Sequence, residues 1–355
     1  ISNLVFTLFI IIHYKEAPPM YNFNVARYET VVNDAVALIP QIEKAADEIS
    51  KAGFRNIFFI GCGGTYAHSL PMKYWLDSSS DFESHCVIAS EFMLMGHKRF
   101  DKDSICVFST RSGNTKEIVQ ALKFCKEAGA RTVVYVSNDN TPACEYADYK
   151  FYSFAEDDCL CEAIYTWMIA FLARLLYNAN QFPKYDRFVE QFKQITPALL
   201  KAKEQTEEHA KEMAAKYKDV DYHMVVGSGM LWGEAYDYAM CILEEMQWIK
   251  TKSIHAAEFF HGTLELVEAG TSMILLYGED ETRPLMDRVV KFASNITEDI
   301  NIFDTKDVQL PFDAEFRKIV SPLVIYAMLE RLSCHLEKER QHPLTTRRYY
   351  RQFDY

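Results

Sequence analysis

Apolar residues recur along the chain in two rhythms, and the rhythms alternate. Between 24 and 52, Val32, Ala35, Val36, Ile39, Ile42 and Ala46 stand three or four residues apart and Gly53 follows, which predicts one amphipathic helix leading into the fold. Short continuous runs of Val, Ile and Phe then appear at 57–60, 86–89, 105–108 and 132–136, with a helical pattern over 115–128 between the last two. Runs without polar alternation belong to strands buried on both faces, so a parallel sheet covered by helices is expected. A helical stretch over 160–177 and a charged one over 185–218 precede a second unit that starts at Tyr222 and repeats the scheme. It has a strand at 224–226, the loop Gly227-Ser228-Gly229, a helix to about Lys250, a strand at 273–277, a helix over 284–293 and a strand at 300–303. The expected fold is α/β, with two similar doubly wound parallel-sheet halves. Its segments are an N-terminal extension with lead-in helix (1–52), a first domain (53–183), a connecting helix (184–217), a second domain (218–340) and a tail (341–355).

Composition narrows the partners. The chain has 355 residues, 49% of them hydrophobic, enough for two packed domains. A formal net charge of −12 argues against nucleic acid or an anionic membrane as the partner, since both need clustered Lys and Arg. The nine cysteines, at 62, 86, 106, 125, 144, 159, 161, 241 and 334, are odd in number and contain no C-x-x-C pair. Free thiols in a reducing, cytoplasmic compartment fit that usage, and no metal-type spacing appears. The first twelve residues are apolar but fall short of the roughly 20 needed to span a bilayer, and Met20 offers an alternative start.

Two loops follow predicted strands and lead into predicted helices: Gly61-Cys62-Gly63-Gly64-Thr65 and Thr110-Arg111-Ser112-Gly113-Asn114-Thr115. Ligands of open parallel sheets bind at such places, where unpaired helix N–H groups attract an anion. Thr65, Thr110, Ser112 and Thr115 would add hydroxyl donors, and Gly63, Gly64 and Gly113 would let the backbone approach phosphate oxygens. The same residue types also serve simply as caps and turns. Tyr66 stands where a dinucleotide fingerprint has its third glycine, and there is no G-x-x-x-x-G-K-[ST] run, so neither NAD nor ATP is expected. Residues 244–262 hold Glu244, Glu245, His255, Glu258 and His261. In a regular helix Leu231, Ala235, Ala239, Ile242, Met246 and Ile249 form the core stripe, and Glu245 lies among Cys241, Ile242, Trp248 and Ile249. Partial desolvation would suit its carboxylate to general-base work. The alternatives are, for Glu245, an ion pair with Lys250 or Lys252 or simple exposure at the helix edge, and for His261 a structural role beside Phe259 and Phe260.

The motifs Cys62-Gly63-Gly64-Thr65-Tyr66, Glu245-Met246-Gln247-Trp248-Ile249, Ile254-His255, Glu258-Phe259-Phe260-His261-Gly262 and the closing stretch Gln341 to Tyr349 resemble the sugar isomerase (SIS) family. Within it, the resemblance is to deglycases of 6-phosphorylated Amadori-type sugar–amino acid adducts, and it spans both halves. It implies two SIS subdomains, Glu245 as general base, His261 as general acid, and a sugar phosphate held by Gly63, Gly64, Thr65, Thr110, Arg111, Ser112 and Thr115. His255 and Glu258 would orient the acid and base, and Arg347 and Arg348 would clamp the substrate, dock on a partner subunit or serve simply as surface charge. No cofactor or metal is implied; the implied partners are a small-molecule adduct and a second copy of the chain. Fructoselysine or glucoselysine 6-phosphate is the expected substrate, with free lysine and hexose 6-phosphate as products. Alternatives are a hexose-phosphate isomerase or aminotransferase and a non-catalytic sugar-phosphate sensor. The glutamine-hydrolysing domain and lysine-bearing tail of the related synthase are missing, which disfavours aminotransfer, and Thr263 replaces the usual proline after His261-Gly262.

Overall fold

In a computed structural model, which describes residues 19–155, 160–350 and 352–353, the alternating rhythms become two parallel sheets. The apolar N-terminal stretch and Cys159 lie outside the described residues. The first sheet has order β2-β1-β3-β4-β5, from β1 (Asn56–Gly61), β2 (Glu83–Ile88), β3 (Ser104–Thr110), β4 (Arg131–Val136) and β5 (Tyr149–Tyr152). The second has order β7-β6-β8-β9, from β6 (Tyr222–Gly227), β7 (Lys250–His255), β8 (Ser272–Tyr277) and β9 (Ile300–Asp304). All neighbouring strands are parallel.

Strand alternation sorts the core into layers. Ile57, Phe59, Ile105, Val107, Val133 and Tyr135 of the first sheet, and Val225, Ile274, Leu276 and Phe303 of the second, face one shared helical core. Their alternates, such as Phe58, Cys106 and Val134 or Met224, Val226 and Met273, face a separate outer cluster on each sheet. Both faces of both sheets are thus apolar and covered, as continuous hydrophobic runs require.

The shared core holds α1 (Val25–Ala37), α2 (Ile39–Ala52), α3 (Gly64–Ser79), α6 (Leu160–Asn178), α7 (Tyr185–Phe192), α8 (Ile195–Tyr217), α9 (Trp232–Asp237) and α11 (Ala314–Arg340). On the outer faces lie α4 (Ala89–Met95), α5 (Lys116–Glu127) and α10 (Arg283–Ala293). Lys203 of α8, fully buried, bridges Glu162 of α6 at 3.2 Å and Glu330 of α11 at 2.9 Å, joining three core helices through one charge. The apolar window of α11 matches a membrane span in length and composition, yet 89% of it is buried inside the protein, where it acts as a core helix.

Three expectations are corrected. The lead-in helix is two helices broken at Leu38, because Pro40 lacks an N–H and can sit only in the first turn of a new helix. Strands β5 and β7 escaped the sequence pattern because both are edge strands. β7 reads Lys-Thr-Lys-Ser-Ile-His, polar on its open side, as edges commonly are. The helix expected to reach Lys250 ends at Gln247 and contains a π turn, Tyr238–Glu244.

Candidate active site

The two glycine- and hydroxyl-bearing loops end neighbouring strands. Chain direction reverses between them, since β1 continues to β2 on one side and β3 to β4 on the other, so a crevice opens above β1 and β3. Gly63 caps α3 with a φ of 54°, and Thr115 caps α5 without using its hydroxyl on the first turn, so neither cap's side chain closes the helix N-terminus. Those N–H groups and helix dipoles are the elements of an anion cradle. The other hydroxyls partly shape the loops: Thr65 Oγ1 donates to Cys62 O at 3.0 Å, while Thr110 Oγ1 accepts the Gly113 N–H at 3.2 Å and Ser112 Oγ the Asn114 N–H at 3.4 Å. Gly113, at φ 63°, passes so close to Thr141 that a β-carbon would come within 1.9 Å of its hydroxyl. Arg111 is half-buried at the rim.

The corresponding place in the second sheet is already filled. Asp280, buried, accepts the Met230 N–H at 3.1 Å and the Thr282 N–H and hydroxyl at 2.8 and 2.6 Å. Its carboxylate occupies the place between the loops after β6 and β8.

Glu245 reaches that first site through α9 and its π extension. Gly233 packs on Ala67 and Pro71 of α3, Gly64 meets Asp237, and Cys241 Sγ would lie 4.0 Å from a β-carbon at Gly63, so the two helices run antiparallel. Glu245 follows one turn beyond Cys241, and its negative charge reaches the Cys241 thiol. The wider π turn moves the buried stripe from Ile242 and Met246 to Leu243 and Gln247, which sit at steps of four from Leu231, Ala235 and Ala239. Glu245 is consequently less desolvated than a regular helix predicts, with its side chain 34% exposed.

Among the described residues it pairs with neither Lys250 nor Lys252 but with Arg347, whose Nε donates to Glu245 Oε1 at 2.8 Å. The tail carrying Arg347 is strapped down by Gln247 Nε2 donating to His342 O at 2.8 Å, by the His342 ring 4.4 Å from Trp248, and by the Arg348 guanidinium 3.9 Å over the same indole. Trp248 is held at φ 56°, an uncommon conformation for a bulky residue that marks a constrained site. Between tail and helix lies a groove of about 650 Å³ lined by Glu245, Trp248, Arg347, Arg348 and Tyr349, among others.

His255, Glu258 and His261 stand elsewhere. Glu245 precedes β7, His255 is its last residue and Glu258 and His261 follow it, so within one chain a strand of six residues, roughly 20 Å long, lies between Glu245 and His261. His255 Nδ1 accepts the Ala257 N–H at 3.2 Å, its ring lies 5.4 Å from Trp232, and burial holds its pKa below the usual range despite the Glu258 charge. Glu258 and His261 are exposed on the turn beyond, and the His261 N–H donates to Glu258 O at 2.9 Å. His255 and Glu258 therefore accompany His261 rather than Glu245, contrary to the expectation that they orient both. Asp237, Cys241 and Asp280 were not anticipated. The first two carry a readable signal, lying on the Glu245 segment at four-residue spacing.

An SIS-domain match covers residues 48–177. The fructosamine deglycase of Bacillus subtilis is 30% identical over 303 residues, which are 84% of this chain and 92% of that one. This chain belongs to the SIS-domain family. Escherichia coli fructoselysine 6-phosphate deglycase is 24% identical over 316 residues, 88% of this chain and 90% of the relative. A solved Bacillus subtilis structure described as a phosphosugar isomerase superposes with a TM-score of 0.82 at 29% identity, covering 90% of this chain and 99% of that one. The two parallel sheets are the SIS fold, and the homology supports a deglycase.

Proposed function

We propose that this SIS-domain protein hydrolyses a 6-phosphorylated sugar–amino acid adduct, of the fructoselysine or glucoselysine 6-phosphate type, to hexose 6-phosphate and the free amino acid. The observation that carries the reading is the placement of Glu245 beside a crevice flanked by two open helix N-termini. One feature suits a phosphate and the other a carbon-bound proton. With the phosphate against Gly63, Gly64, Thr65, Thr110, Ser112 and Thr115, and Arg111 at the rim, the opened sugar extends toward Glu245. The carboxylate takes the proton from one of C1 and C2 and returns it to the other, so that the amine-bearing carbon becomes an imine. Water adds to that imine carbon, and the C–N bond breaks as the nitrogen leaves protonated. Arg347 exchanges the Glu245 carboxylate for the carboxylate of the bound amino acid, which frees the base as substrate enters.

His261 is the proposed acid for sugar oxygen and amine nitrogen. Because β7 keeps it from Glu245 of its own chain, the proposed active form is a homodimer in which a second copy supplies His261 to each site.

Fructoselysine 6-phosphate incubated with the protein is expected to yield equimolar lysine and hexose 6-phosphate. Glu245→Gln should lower kcat by about 10²-fold or more while leaving the phosphate site intact. A folded Glu245→Gln protein releasing lysine at the wild-type rate would falsify the base assignment.

A further inference from the structure

Beneath the first turn of α3 lies a buried side-chain cluster that the proposed reaction does not use. His68 of α3, Cys161 of α6 and Asp237 of α9 are 3%, 8% and 3% exposed, and their donor atoms all lie within 4.8 Å of one another. The cluster is poorly satisfied by protein groups. His68 Nε2 approaches Asp237 Oδ2 at 3.5 Å, yet neither ring nitrogen completes a hydrogen bond and Asp237 Oδ1 has no partner. Each such buried orphan is costly to leave without a partner. Glu234, also buried, accepts from the Tyr165 hydroxyl and adds a second carboxyl to a neighbourhood whose base is His68.

We infer that His68, Cys161 and Asp237 form a structural site for a zinc-type divalent cation. An imidazole nitrogen, a thiolate and a carboxylate make a borderline-soft ligand set, which favours Zn²⁺ over Mg²⁺ or Ca²⁺. Metal–ligand lengths of about 2.0–2.3 Å place tetrahedral ligands roughly 3.3–3.8 Å apart, so small side-chain shifts close the set from its present spacing. The dication also balances carboxyl groups that are costly to bury unpaired.

The three ligands come from three separate parts of the chain, at 68, 161 and 237, so no compact Cys/His spacing marks them. Burial leaves no open position for substrate, and the site's role is to position the loops above it. Asp237 Oδ1 would lie 2.9 Å from a β-carbon on Gly64, so the ion fastens α3, and with it the phosphate loop, to the segment that carries Glu245. This holds whichever sugar the crevice takes.

The test uses the full chain, stripped with a chelator and then titrated with Zn²⁺ or Co²⁺. Elemental analysis of the protein as purified should give one zinc per chain, and re-adding zinc should raise Tm by several degrees. The cobalt form should show a thiolate-to-cobalt charge-transfer band. Cys161→Ser and His68→Asn should lose the metal and the band, while Cys334→Ala, at a buried cysteine elsewhere, keeps both. The wild-type cobalt spectrum stands on its own if a variant fails to fold. Substoichiometric metal, no thiolate band and a Tm indifferent to zinc would overturn the site and leave an ion pair of His68 with Asp237.

Discussion

Arg347 holds two roles that pull apart. It is only 15% exposed, and its pairing with Glu245 occupies the carboxylate that the proposed chemistry needs. If substrate carboxylate exchanges with Glu245, Arg347→Ala removes a charge-assisted contact and lowers kcat/KM for fructoselysine 6-phosphate about tenfold or more, since 1.4 kcal/mol is a factor of ten. An adduct made with a simple alkylamine has no carboxylate and should lose little. Equal losses on both substrates would mean that Arg347 acts through Glu245 alone. A second residue sets an acid limit on stability. His223 is 2% exposed, its Nδ1 lies 2.7 Å from Ser272 Oγ, and burial together with the Arg340 charge lowers its pKa to about 4. In the unfolded chain the same ring titrates near 6.5. The unfolded state thus takes up a proton between those values and the folded state does not. The contribution is present above pH 6.5 and is lost as pH falls toward 4, up to roughly 3 kcal/mol. Urea unfolding at pH 7.5 and pH 5 should show the loss in wild type and a smaller one in His223→Gln. An unchanged pH dependence in the variant would exclude His223 as its source.

Elements were legible where apolar residues ran together and illegible where polar residues broke the run. The strands inside each sheet, β1, β3, β4, β6 and β8, carry apolar side chains on both faces, and their runs were visible. The edge strands β5 and β7 trade that run for polar positions, and β7 is the element that decides the site. Without it, residues 244–262 read as one acid/base segment; with it, they divide into Glu245 before the strand, His255 at its end and His261 after it. The π turn was hidden for another reason. Its extra residue per turn changes the phase of α9 without changing its composition, so Ile242 and Met246 looked like core although Leu243 and Gln247 are buried. The glycine- and hydroxyl-bearing loops were legible because glycine is demanded by geometry at Gly113. Gly113→Ala must push Thr141 aside and hold a β-carbon at φ 63°, which should raise KM for the phosphorylated adduct about tenfold. Pairing it with Thr141→Ala should restore part of the loss, the remainder being the cost of φ. An unaffected KM in Gly113→Ala would remove this loop from the phosphate site.

At the scale of the molecule, the two halves are similar in plan and unequal in use. Asp280 fills the corresponding place in the second sheet with the protein's own carboxylate. What that half supplies instead is position: α9 brings Glu245 to the first sheet, while the far end of β7 carries His255, Glu258 and His261 away to an exposed turn. In the proposed homodimer a symmetric pair of chains would repair this separation, because a two-fold axis that brings one turn to the neighbour's crevice brings the other turn to the first. The consequence is specific to the mixed dimer. Chains with Glu245→Gln and chains with His261→Asn are each expected to be inactive alone. Co-expressed in equal amounts, half of the dimers contain one chain of each kind. In these, one site combines both substitutions and the other combines an intact Glu245 with an intact His261. The mixture should recover about a quarter of wild-type activity per chain. Were both residues drawn from a single chain, no site in any mixed dimer would be intact, and mixing would recover nothing.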